Sequence, residues 1–186
     1  MLGWARMFLA DPRTPVLATV FVAVALAAAR PLARRLRWPL LPTVLTLLSG
    51  AAVAAMTLPP APGAAVRGPD AAALGACARS LVDPRGLAFA FDFAAGRGER
   101  VGNIAMFVPL AFFAVLASRR PVLAGAVTAT APVLIEVTQV LTGAGRTCDG
   151  YDWVNNATGA VLGALGGAAV LALARLLRPP VRTSDT

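Results

Sequence analysis

The sequence predicts an all-α integral membrane bundle of about five transmembrane helices, with the N-terminus outside and the C-terminus cytoplasmic. Three observations carry that prediction. Of the 186 residues, 58% are hydrophobic and 14% charged, whereas a soluble domain carries about a quarter charged residues. The mean hydropathy is +0.71. The apolar residues also fall in runs close to the roughly 20 that one helical span requires, and they lack the alternation of a β-barrel strand.

The net charge of +8 comes from Arg alone, because the chain has no Lys. A pI near 11.5 would suit a nucleic-acid binder, but no basic, aromatic-interleaved soluble segment supports that function. The expected partner is the lipid bilayer of the cell membrane, crossed several times, and not nucleic acid. The chain has no His, which removes the commonest general base and metal ligand.

The first span is expected at 15–29 and is the shortest. The second covers 38–58, with Trp38 placed to anchor at the interface. The third, fourth and fifth cover 101–117, 122–141 and 154–177. The chain therefore divides into two N-terminal helices (1–61), an extracytoplasmic segment (62–100), a three-helix core (101–178) and a cytoplasmic tail (179–186). Arg30, Arg34, Arg35 and Arg37 crowd the first hairpin. Arg119 and Arg120 occupy the connection between spans three and four, and Arg175, Arg178 and Arg182 the end of the chain. The positive-inside rule makes all three regions cytoplasmic, and five spans make them mutually consistent. One rival stays open: Arg6, Arg13, an apolar stretch and Ala27, Ala28 and Ala29 also fit a signal peptide, whose cleavage would invert every later loop.

Within the outer segment, "LAFAFDF" alternates Leu87, Phe89, Phe91 and Phe93 with small or polar residues. Period-two spacing predicts an extended piece, either a packing flap or a lid over an outward site. Cys77 and Cys148 are both expected outside, where a disulfide is chemically allowed. Their spacing alone leaves the pairing open.

Polar residues recur where lipid is expected. Glu136 lies about 9 Å inside the outer end of the fourth span at 1.5 Å per residue. Such a group costs roughly 2.5–3.5 kcal/mol to insert and is expected to face the bundle with a partner. Gln139 follows on the same face. Pro132 deprives the Thr128 carbonyl of its helical donor and predicts a kink, and Pro109 loosens the third span. Asn103 enters that span as a cap or an interhelical bond. Asp152 is expected to N-cap the fifth helix, with Asp149 near the positive end of its dipole. Asn156, Gly159, Gly163 and Gly167 form one stripe on which a neighbouring helix, or another protomer, can pack closely. The oligomeric state stays open. Arg146 is the counter-ion for Asp149 or Glu136, or a clamp for an anionic ligand. Together these residues predict an outward-facing polar pocket at membrane level.

Three stretches, "NIAMFVPLAFF", "IEVTQ" and "GRTCDGYDWVNNATGAVLG", resemble the VanZ-like family of bacterial membrane proteins. The family signature is an Asn ahead of Phe-x-Pro-Leu-Gly, then Glu-x-x-Gln, then Arg-x-x-Asp-x-x-Asp followed by Asn-x-x-Gly. It falls on Asn103, Phe107, Pro109, Glu136, Gln139, Arg146, Asp149, Asp152, Asn156 and Gly159. The resemblance spans about 99–167 and implies a role in the cell envelope. The family's namesake is associated with low-level resistance to the glycopeptide teicoplanin. Two positions depart from the pattern. Ala111 replaces a Gly, which suggests looser packing, and Tyr151 replaces a common third acid, which weakens any divalent-metal cage.

Three functions follow. The first is a non-catalytic protein that binds, or alters access to, a lipid-linked wall intermediate or a glycopeptide. The second is an intramembrane enzyme acting on such a lipid, with Glu136 as acid or base and Asp149 or Asp152 as its partner. A divalent ion on oxygen ligands would suit that version, although neither cofactor nor resident metal is expected. The third is a proton-coupled carrier of small solutes.

Overall fold

The computed structural model describes residues 13–60, 68, 71–90, the backbone of 97, and residues 98–143, 145, 148 and 150–177. Seven helices and no strand occur among them. Five of these helices are long and apolar enough to cross a membrane: α1 (Arg13–Leu36), α2 (Leu40–Thr57), α5 (Arg97–Ser118), α6 (Pro121–Leu141) and α7 (Gly150–Leu176). Two short helices, α3 (Ala71–Leu81) and α4 (Pro84–Ala90), lie between α2 and α5 in the chain. The protein is a multi-pass membrane protein.

The first helix is longer than the apolar run alone suggests. It continues through Ala27, Ala28, Ala29 and Pro31 to Leu36, so Arg30, Arg34 and Arg35 lie in its last turns and not in the hairpin. Long Arg stems can extend along an apolar surface while their heads reach the polar layer, which lets a span keep them. Ala25, Ala29 and Ala33 repeat every four residues and form its buried stripe, which packs on α2. The helix ends when Arg37 turns left-handed at φ 54°. Trp38 N then donates to Ala33 O at 2.9 Å and Arg37 N to Arg34 O at 3.3 Å, closing the last carbonyls. Pro39 follows and α2 begins. A related turn joins α5 to α6: Arg119 at φ 56° donates to Val115 O at 2.8 Å, and Pro121 opens the next helix.

Small side chains make the packing close. α2 contacts α1 and α5, and α7 contacts α5 and α6. The core gathers Val53, Phe107, Ala111, Ala114, Val115, Ala124, Ala160 and Ala164. The tightest seam is α5 against α7. A Cβ added at Gly159 would collide with the Ile104 carbonyl, and one at Gly163 with the Val108 carbonyl. At Gly167 it would stand 2.9 Å from both Phe112 O and Val115 Cβ. In lipid, where tails are as apolar as the helices, such approach supplies the attraction between helices. Ala111 is not loosely packed: it is fully buried, and its methyl fits because Gly163 has no side chain.

The stretch expected to be extended is helical up to Ala90. Asp83 caps α4, accepting from Arg85 N at 3.4 Å and Gly86 N at 3.3 Å, and Pro84 occupies the first helical position. An Asp-Pro start is a helix signal strong enough to override a period-two pattern only four alternations long. Phe91 and Phe93 lie outside the described residues. The short helices dock on α6 and α7.

Candidate functional site

Three helix ends and a fourth meet at one end of the bundle. They are the start of α5, the end of α6, the start of α7 and the end of α2. Between them lies a cavity of about 390 Å³. Asn103, Glu136, Gln139, Asp152 and Asn156 all line it. The structure thus brings five of the sequence-selected polar residues together. Arg146 and Asp149 lie outside the described residues.

Each side chain is placed by its helix. Asn103 stands two turns into α5 and donates from Nδ2 to Asp152 Oδ1 at 2.7 Å. Asp152 is therefore not the N-cap expected of it. The last helix, α7, starts earlier, at Gly150, so Asp152 lies inside its first turn. There its carboxylate still benefits from the positive helix end, but one oxygen is committed to α5. The early start is possible because Gly150 has no side chain: a Cβ there would lie 2.8 Å from Ser80 O.

Glu136 is 4% exposed and Gln139 6%, so both face the bundle interior. Gln139 Nε2 donates to Thr57 O at 2.7 Å. Thr57 ends α2, and its carbonyl is one of the terminal acceptors that a helix cannot satisfy itself. Pro132, fully buried one turn before Glu136, lies within an α6 that runs unbroken from Pro121 to Leu141. Pro109 likewise lies inside α5. Asn156 is 5% exposed, and its Oδ1 has no hydrogen-bond partner among the described residues. Below it run Gly159, Gly163 and Gly167, all buried. Met56 and Val101, 37% and 64% exposed, also line the cavity and give it an apolar lip.

A cap covers the start of α7. Cys77 and Cys148 are bonded, with S–S 2.06 Å and Cα–Cα 5.1 Å. Ser80 Oγ donates to Cys148 O at 2.9 Å and Trp153 Nε1 to Leu81 O at 3.0 Å. Tyr151, found where an acid is common, is buried with its ring 5.1 Å from that of Phe89. The Arg100 guanidinium lies 5.7 Å from the Tyr151 ring centre and donates to Phe89 O at 3.2 Å. An acid at 151 would thus sit beside Phe89 and Arg100 and not in the cavity.

Sequence reasoning missed the α2 wall. Met56 and Thr57 belong to spans without a recognisable motif, and Glu99 and Met106 also line the cavity. The available signal was weak: Thr57 is a lone polar residue at the same predicted level as Gln139. Among the described residues no group of three or more His, Cys, Asp or Glu could hold a metal ion. No curated protein and no solved structure matches the chain. The model of the VanZ/LLP1 family matches residues 72–173, from the disulfide-bearing cap through three of the four helices that line the cavity, and the chain belongs to that family.

Proposed function

We propose that this VanZ/LLP1 protein binds the polar head of a lipid-linked cell-wall intermediate in the α2–α5–α6–α7 cavity and so alters access to it. One observation carries the reading. Asn156 Oδ1 is a buried acceptor without a protein donor among the described residues, on the wall of a cavity that also holds Asn103, Glu136, Gln139 and Asp152. A buried polar atom without a partner is costly, and a ligand hydroxyl or amide would satisfy it. The exposed Met56 and Val101 at the lip suit an adjoining acyl chain. Arg30, Arg34, Arg35, Arg37, Arg119, Arg120 and Arg175 sit at the other helix ends, which supports an outward cavity in the cell membrane. Arg146 and Asp149, which flank Cys148 in the sequence and lie outside the described residues, are proposed as anion clamp and orienting carboxylate.

A volume near 390 Å³ is within the size of small-ligand pockets. A sugar or phosphate head fits within it. A glycopeptide antibiotic is several times larger and would engage only by one edge, so the lipid-linked ligand is preferred.

Native mass spectrometry of the detergent-purified protein tests this, with Asn156→Leu and Asp149→Asn beside the wild type. A lipid-carrier adduct on the wild type that both variants lose is the expected result. Bulk phospholipid alone on all three would sink the reading.

A second reading has one observation in its favour: Glu136 and Asp152 line the same cavity from different helices. Paired carboxylates can divide acid and base roles. An intramembrane enzyme predicts that Glu136→Gln abolishes product formation while the adduct persists. A binding protein predicts no product from the wild type either.

A further inference from the structure

At the opposite end of the bundle from the cavity, α1 and α2 enclose a second depression. Its volume is about 260 Å³, and Arg30, Ala33, Arg34, Trp38 and Leu40 line it. Arg30 and Arg34 are four residues apart on α1, so their side chains project from one face, one turn above the other. Ala33 is buried and also lines the depression, where its small side chain leaves room. The left-handed Arg37 turns the chain back, and the bond from Trp38 N to Ala33 O holds Trp38 against the last turn of α1. Leu40, 46% exposed, begins the second wall.

Two guanidinium groups at this spacing repel each other unless an anion lies between them. No carboxylate lines the depression among the described residues. Guanidinium forks match phosphate oxygens geometrically, Trp settles at the head-group level, and Leu40 offers an apolar surface alongside. Arg119, Arg120 and Arg175 share this end of the bundle but do not line the depression.

We propose that the Arg30–Arg34–Trp38 depression is a binding site for the phosphate of an anionic phospholipid. The site is separate from the cavity above and independent of the function assigned there. It differs from a diffuse basic surface in one testable respect, which is that it depends on the forked geometry of two particular residues and not on charge alone.

The test uses the full chain in neutral detergent, titrated with phosphatidylglycerol, phosphatidylcholine or inorganic phosphate and followed by native mass spectrometry. Arg30→Lys/Arg34→Lys keeps the charge that fixes membrane orientation, and a melting curve checks its fold. Phosphatidylglycerol is expected to bind about tenfold more tightly than phosphatidylcholine. The double Lys variant is expected to lose roughly five- to tenfold of that affinity. Arg119→Lys/Arg120→Lys is expected to stay within about twofold of the wild type, since neither residue lines the site. Equal losses in the two double variants would overturn the site in favour of diffuse charge, as would equal binding of the two lipids. Full displacement of phosphatidylglycerol by equimolar inorganic phosphate would overturn the lipid assignment and leave a free-phosphate site. Arg30→Gln/Arg34→Gln, if it folds, is expected to abolish the preference for the anionic lipid; retention of that preference would also refute the site.

Discussion

Asn103 and Asp152 hold each other across the α5–α7 seam, with Nδ2 donating to Oδ1 at 2.7 Å. The bond joins the two helices on the cavity wall itself, so one contact serves both packing and the shape of the site. Polar bonds between membrane helices average about 0.6 kcal/mol and reach about 1.7. A double-mutant cycle of Asn103→Ala and Asp152→Ala is expected to give a coupling of about 1 kcal/mol in a detergent unfolding titration. Asp152→Asn keeps the acceptor oxygen and is expected to retain most of that stability. Additive losses in the cycle would show that the pair is not coupled.

The glycine seam makes a sharper prediction. Gly159→Ala and Gly163→Ala push a methyl into the Ile104 and Val108 carbonyls, and each is expected to cost about 2–3 kcal/mol. Gly166→Ala is the control. Its Cβ would meet only the Phe112 ring at 3.5 Å, and it is expected to be neutral or to gain up to about 1 kcal/mol from helix propensity. Thermal melts of the three variants check the order.

The Cys77–Cys148 bond closes a separation of 71 residues. Its removal by Cys77→Ser/Cys148→Ser is expected to lower stability by about 2–4 kcal/mol through the freedom returned to the unfolded chain. Reductant should lower the melting temperature of the wild type and leave the double variant unchanged. Identical melts for both proteins would mean that the Ser80 and Trp153 bonds hold the cap unaided.

Arg119 occupies a left-handed position at φ 56°, where an L-residue other than glycine, Asn or Asp costs roughly 1–2 kcal/mol. Arg119→Gly is expected to raise stability by about 1 kcal/mol, since the backbone bond to Val115 O does not need the side chain. A fall in melting temperature would instead reveal that the guanidinium itself stabilises the turn.

Much of this arrangement was legible in the sequence, for identifiable reasons. Span length follows from bilayer thickness, and the glycine stripe follows from the 3.6-residue repeat, so the five long helices and a close-packing face on the last of them could be anticipated, whereas its partner, α5, could not. The inward placement of Glu136 and Gln139 follows from the cost of exposing them to lipid. What escaped were events decided by single local contacts. The start of α7 moved to Gly150 because that residue lets Ser80 O approach. "LAFAFDF" alternates, yet Asp83 and Pro84 initiate a helix ahead of it. Thr57 joins the cavity through its backbone oxygen, a group that every residue carries and no motif can flag.

The same seam fixes one wall of the cavity. Because α5 and α7 meet through glycines and carbonyls, there are no side chains at Gly159 and Gly163 whose rotamers could slip to let the helices part. Across the cavity from that seam, the described polar link between α2 and α6 is the Gln139–Thr57 bond. Gln139→Leu removes that bond and leaves the glycine seam untouched, so any change in ligand entry that it produced would trace to the α2–α6 wall.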